Sequence, residues 1–351
     1  MRRLALGLAV AAAVVAAGAL AGGTARQPGP GFRFDLPAGI APPAIPADNP
    51  MSPIKVELGR RLFYDADLSV DGTMSCATCH EQKRAFTDGN ATHPGVRDAP
   101  GRRNPMGLAN VAYFSTLTWA DPRPRTVEAQ ALTPLEGKHP VEMGMKGMET
   151  ELVRRLEADP CYREMFRTAF PEHGGRIAKG DAVKAIAAFE RTLLSFDSPY
   201  DRARRGEVGA MPPAARRGAQ LFFGPDGCAS CHSGANFTDG RFHRIAPPTS
   251  KPSADRGLFE LTGRAADADA FRTASLRNVA LTGPYLHDGS AGSIDEAIGR
   301  HRSAPEGRLE DPRRRAELRA FLEALTDRGF TTRPALTLPG PGCPAGGQDA
   351  S

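Results

Sequence analysis

The five residues Cys76-Ala-Thr-Cys79-His80 recur as Cys228-Ala-Ser-Cys231-His232, and no other feature restricts the chain so tightly. Two cysteines spaced by two residues can each form a thioether to a haem vinyl group, and the adjoining histidine then reaches the iron from one side. Each motif therefore specifies one covalent c-type haem, with His80 and His232 as proximal ligands. A redox dithiol, half of a zinc site or a chance pentapeptide would leave the histidine at the same offset in both copies unexplained. The duplication continues on either side. Gly59-x-x-Leu62-Phe63 precedes the first motif and Phe86-Thr87-Asp88-Gly89 follows it, while Gly218-x-x-Leu221-Phe222 and Phe237-Thr238-Asp239-Gly240 flank the second. An apolar helix, an attachment turn and a polar loop, used twice, predict an all-α chain: two tandem cytochrome c-like helical domains, each around one haem, with long irregular loops.

The 351 residues are enough for two cores. Aromatics make up only 7% of the chain against 38 Gly and 31 Pro, so haem must supply part of each core. The formal charge of +5 is offset by haem propionates, and the arginines are scattered, which excludes a nucleic-acid surface. Residues 1–25 combine Arg2 and Arg3, an apolar run from Leu4 to Leu20 and small residues up to Ala25, the pattern of a secretory signal peptide. An uncleaved anchor is the alternative, because the run approaches the length that spans a bilayer. After cleavage no stable membrane span is expected, and the periplasm is the expected location. The expected partition is an extended arm over 26–47, a first, peroxidatic domain over 48–205, a second, electron-transfer domain over 206–333 and a flexible tail over 334–351.

Individual residues add chemistry. His93 lies in a Gly- and Pro-broken loop and reads either as a sixth ligand of the first haem at rest or as a solvated loop histidine. Trp119 is the only tryptophan; Gln130 and Glu142 follow it, and Met143, Met145 and Met148 read as packing or, less simply, as soft copper(I) ligands. Amphipathic spacing predicts a helix over 181–196. Ser293 and Glu296 form a capping pair for a helix whose inward face carries Ile294, Ala297, Ile298 and His301. His301 is thus aimed at the interior, either as a satisfied core histidine or as a sixth ligand of the second haem, which still needs one. Cys161 and Cys343 stand outside the haem motifs and could pair in an oxidising compartment, a matter the spacing does not decide.

These residues resemble the bacterial dihaem cytochrome c peroxidase/MauG superfamily over about residues 45 to 330. The likeness rests on both haem motifs, Leu108-Ala-Asn110, Glu128-Ala-Gln130-Ala-Leu-x-Pro134, Pro140-Val-Glu142-Met-Gly144 and Leu276-Arg277-Asn278 through Pro284-Tyr285-x-His287-Asp-Gly289, all in family order. Asn104-Pro-Met, Leu117-Thr-Trp119 and His139-Pro-Val-Glu142 look like the MbnH branch. The resemblance implies that Gln130 and Glu142 line the peroxide-binding face of the first haem, and that Trp119 relays charge between the haems. It also implies that Asn110, Thr282 and Pro284 mark a calcium site between the domains. By the same resemblance, hydrogen peroxide would raise the two haems to a high-valent state that oxidises a partner protein, with tryptophan converted to kynurenine on an MbnP-like protein. One alternative is a cytochrome c peroxidase fed by a small cytochrome or cupredoxin; a second is a non-enzymatic dihaem electron carrier. One departure stands out: the family presents Met or Tyr where this chain has His301.

Overall fold

The computed structural model describes residues 31–224, 227–245, 254–301 and 311–344. The expected signal peptide lies outside them, as do residues 345–351. Eleven helices occur among the described residues: α1 (Pro53–Phe63), α2 (Cys76–Cys79), α3 (Val127–Glu136), α4 (Glu149–Ala158), α5 (Pro160–Ala169), α6 (Lys179–Glu190), α7 (Pro199–Arg204), α8 (Pro213–Phe223), α9 (Phe259–Thr262), α10 (Ile294–Arg300) and α11 (Pro312–Glu323). The single antiparallel ribbon among those residues pairs β1 (Phe242–His243) with β2 (Phe271–Arg272). None of the helices is long and apolar enough to cross a membrane.

Two crossings build two cores. Ser52 caps α1 by accepting from Lys55 N, Pro53 occupies the first turn where no amide donor is needed, and Leu58, Leu62 and Phe63 are buried against α6. The helices touch at Gly59, where a Cβ would lie 1.8 Å from the Ala185 carbonyl oxygen. Helices α8 and α11 repeat the arrangement at Gly218, whose Cβ would lie 1.9 Å from the Glu317 carbonyl oxygen. Phe63 meets Phe189 edge-on at 5.2 Å, and Phe222 meets Phe321 at 5.0 Å. Glycine is needed at both places because only a bare Cα lets the backbones approach so closely.

The likeness extends to a second pair of elements. Asn110 and Asn278 both adopt left-handed backbone (φ 60° and 59°) and open a short 3₁₀ turn. Their amides donate to Leu193 O and Leu325 O, and their side-chain oxygens accept from Ser195 N and Asp327 N. Asn110 Nδ2 also reaches Asn236 Oδ1, and Asn278 Nδ2 reaches Ser195 Oγ, so each asparagine stitches one half to the other. Helix α6 stops at Glu190, short of the expected 196, because Thr192 turns back onto Phe189 O and Ser195 is taken by Asn110. Leu193 and Leu194 stay buried beyond its end.

The chain ends differ from the expected partition. Tyr200 on α7, placed with the first domain, packs edge-on to Phe237 and Phe321 of the second core. Phe330, placed with the second, is fully buried in the first core, as is Leu336 of the expected flexible tail. Tyr64 Oη donates to Leu336 O at 2.7 Å, Gln82 Nε2 holds Phe330 O and Arg333 O, and a Cys161–Cys343 disulfide closes the segment onto α5. Residues 334–344 are therefore a clamp on the first core, held by apolar burial and a covalent bond. The arm also lies on that core: Ile45 packs with Met51 and Ala188 of the first domain, and Tyr113 Oη donates to Ala41 O.

Candidate haem sites

Each attachment turn presents a neutral imidazole. His80 follows α2, and Ala85 and Phe86 turn the chain through left-handed backbone so that the Phe86 carbonyl accepts from His80 Nδ1 at 2.7 Å. That bond fixes the tautomer and leaves Nε2 as the free donor to a metal. His232 repeats it: Phe237, again left-handed, accepts from Nδ1 at 3.1 Å. Burial lowers the pKa of His80. It brings that of His232 down to about 4, with His301 as the next cause. Both rings are thereby kept unprotonated, the form that binds iron. Cys76, Cys79, Cys228 and Cys231 all stay outside the disulfide and half-buried. Cysteines, imidazole orientation and phenylalanine walls fit a covalent haem at each turn.

The faces opposite the two proximal histidines differ. His301, at the C-terminal cap of α10, holds its ring centroid 6.2 Å from that of His232, and its Nδ1 donates to Ala297 O at 2.8 Å. Two metal–imidazole bonds of about 2 Å each, plus the ring radii, separate a pair of axial imidazole centroids by about 6 Å. The spacing is that of two imidazoles sharing one iron. Ser293 caps α10 as expected, accepting from Glu296 N, while Glu296 accepts from Gly292 N. His80 has no imidazole facing it at such a spacing among the described residues.

Glu142 lies within electrostatic reach of the first site, since its carboxylate raises the pKa of both Cys76 and Cys79, burial being the larger cause in each. Burial raises the pKa of Glu142 itself, and His93 opposes this. The loop carrying His93 is strapped to the glutamate's segment: Val96 N donates to Glu142 O, and a Cβ on Gly95 would lie 1.9 Å from Val141 O. His93 Nε2 lies 3.9 Å from Asp88 and its Nδ1 contacts Pro94 O, and the ring is within electrostatic reach of His80. Gln130 is half-buried on α3, whose Pro134 and Leu135 carbonyls accept from Met143 N and Met145 N. Gln130 and Glu142 thus sit on two bonded segments. Met143 and Met145 are core residues, with Met148 packed against them.

Trp119 stands between the halves. Its Nε1 donates to Asn104 O at 2.8 Å, and its carbonyl accepts from Arg272 N at 2.8 Å. Asn104 and Arg272 are equivalent positions, each six residues before the turn asparagine, and the next residue in each copy, Pro105 or Thr273, accepts from Thr87 or Thr238. The lone tryptophan therefore bridges the same place in both repeats. Extending the duplication from Asn110 and Asn278 back to Asn104 and Arg272 would have exposed this in the sequence. The side chains of Asn110 and Thr282 are engaged by protein, Thr282 Oγ1 donating to Val279 O. Among the described residues no cluster of acidic, His or Cys ligand atoms gathers at Asn110, Thr282 or Pro284. Any cation there would depend on backbone oxygens and water.

A family described as di-haem cytochrome c peroxidase matches residues 53–209. The methylamine utilization protein MauG of Methylorubrum extorquens is 36% identical over 303 residues, covering 84% of this chain and 83% of its own. A cytochrome-c peroxidase of Denitromonas iodatirespirans is 34% identical, covering 85% and 83%. The solved structure of a MauG-like protein associated with microbial copper homeostasis superposes with a TM-score of 0.82 at 38% identity, covering 88% of this chain and 99% of that one. With two attachment turns, two repeated cores and these relatives, the chain belongs to the di-haem cytochrome c peroxidase/MauG family, a peroxidase-type haem oxidoreductase with two haems.

Proposed function

We propose that the protein works in the periplasm, using hydrogen peroxide to oxidise a side chain of a second protein, with tryptophan-to-kynurenine conversion on an MbnP-like partner as the specific reaction. The single observation that carries this reading is the facing pair His232 and His301. Two imidazoles on one iron lower its potential relative to a His/Met pair, which suits a centre that holds an oxidising equivalent rather than one that collects electrons from a donor. The solved MauG-like neighbour, associated with copper homeostasis, supports the branch.

When bound, the haem pair supplies the redox chemistry, taking two equivalents from each peroxide. The chain's residues manage protons and position. Glu142, its pKa raised by burial, accepts a proton from peroxide and returns it to the departing oxygen. Gln130 offers an amide to the same face, and Trp119 carries charge between the halves. His93 is read as a group that tunes Glu142, whose pKa it holds down against the effect of burial. A calcium ion at the backbone oxygens of Asn110, Thr282 and Pro284 belongs to the same reading. The test is a titration of the diferric protein with one equivalent of hydrogen peroxide and no reductant, followed by optical and EPR spectroscopy. A long-lived near-infrared band with loss of both ferric signals supports the reading. Reaction only after prior reduction of one haem favours an electron-fed peroxidase, and inertness in both states an electron carrier.

A further inference from the structure

Among the described residues Arg272 is a buried cation without a counterion. It is 5% exposed, and burial alone brings its pKa down to about 10, with no charged neighbour contributing. Its Nη1 donates to Thr116 O at 2.5 Å, its Nη2 to Met106 Sδ at 3.0 Å, and its Nε finds no partner among the described residues. Phe114 lies under the guanidinium at 5.4 Å, an aromatic face that offers partial compensation only. Other well-buried arginines are paired, Arg191 with Glu128 and Arg277 with Asp201. An isolated charge withdrawn from water is costly unless an opposite charge meets it.

The surroundings show where that charge would come from. Arg272 lines a cavity of 160 Å³ between Tyr113 and Phe114 of one half and Asn236, Thr238 and Asp239 of the other. Asp239 shares the wall, but its carboxylate is engaged by Arg241 N and His243 Nε2. Met106, which takes Nη2, has its backbone beside His80; Ala274, two residues after Arg272, has its backbone beside His232. The guanidinium thus stands between the two attachment turns. We propose that Arg272 is an oxyanion site, and that its occupant is a propionate carboxylate of a bound haem, held by the guanidinium at the cavity between the halves. The proposal rests on haem attachment and not on the peroxide reaction, so either can fail alone. Arginine is the suitable residue because its planar fork matches a carboxylate and cannot lose its charge.

The experiment is a spectroelectrochemical titration of both haems in the holoprotein, for wild type, R272K and R272Q, between about pH 5 and pH 9. Asp239 and Tyr113, the other titratable groups lining the cavity, and His243, which bonds Asp239, are common to all three, so only differences from wild type are read. A propionate deprived of its cation while buried titrates inside this window, so in R272Q one haem's potential falls and gains a pH slope that wild type lacks; R272K restores the flat profile. A fall in potential with no new slope overturns the proposal, because loss of the cation alone would cause it. So does a wild-type potential that shifts with added acetate, which would make the occupant a free anion. Wild type bearing haem ¹³C-labelled at its carboxylates supplies a check that needs no variant. In infrared spectra one labelled carboxylate should stay ionised below the pH at which the others protonate; common titration of all of them overturns the proposal.

Discussion

The two halves share one scaffold and differ where the iron's far side would be. Both cross their helices at a glycine, both turn a phenylalanine through left-handed backbone onto the proximal histidine, and both lock an asparagine into the partner half. In the second, His301 faces the proximal histidine, whereas in the first Glu142 is the acid within electrostatic reach of both attachment cysteines. The difference teaches that division of labour needs no new fold. Under the proposed function, one imidazole at the end of a capped seven-residue helix would close one site, and one acid on a strapped loop would serve the other.

The largest expected effect tests the closed face. H301A should abolish one low-spin ferric EPR signal and replace it with a high-spin one while the other haem is unchanged; H301M should keep six ligands and raise that haem's potential. An unchanged low-spin signal in H301A would remove the facing imidazole from the iron. The open face comes next. E142Q should retain both haem spectra yet lower peroxide turnover about 10²- to 10⁴-fold. In wild type, turnover should rise with pH through the glutamate's raised pKa, because the ionised form accepts the proton; a flat profile would move that role elsewhere.

The shared scaffold should respond symmetrically. G59A and G218A each force a methyl onto a backbone carbonyl, so each should cost about 3 kcal/mol in chemical denaturation, the first in the transition of the first core and the second in that of the other. Unequal losses would mean that the crossings are not equivalent. The smallest effect concerns Glu190, a buried carboxyl near Cys76 with no counterpart described in the second half. Burial raises its pKa to about 8, Arg191 opposing and Glu128 adding. The folded state then holds a proton that the unfolded state has released, so stability should fall as pH rises from about 4.5 toward 8, by up to about 1.4 kcal/mol per pH unit. E190Q should flatten that slope in denaturation midpoints, and an unchanged slope would place the proton elsewhere.

Much of the pattern was legible in the sequence because it is local. The haem turns, the apolar faces of α1 and α8 and the cap of α10 all sit within a few residues of the signals that mark them. His301 was legible because helical spacing put it on an apolar face. The clamp was not, since Phe330 and Leu336 are single apolar residues in a Gly- and Pro-rich stretch, and their burial depends on partners such as Tyr64 and Gln82, more than two hundred positions away. Tyr200 was misplaced for a similar reason: its neighbours Phe237 and Phe321 are assembled only by the tertiary fold. Arg272 looked like one scattered arginine among many, because its burial away from any acidic group among the described residues cannot be seen along a chain.

Trp119 was not copied when the rest of the pattern was. A single residue that donates to Asn104 O and accepts from Arg272 N belongs to neither repeat, and it can make both bonds only when the halves are held together. Separated by a cut in the linker, each piece could keep its own haem turn and helix crossing, but the Trp119 carbonyl would lose its bond from Arg272 N. The junction is therefore a property of the fusion. A mixture of two detached halves would have to rebuild it at every encounter.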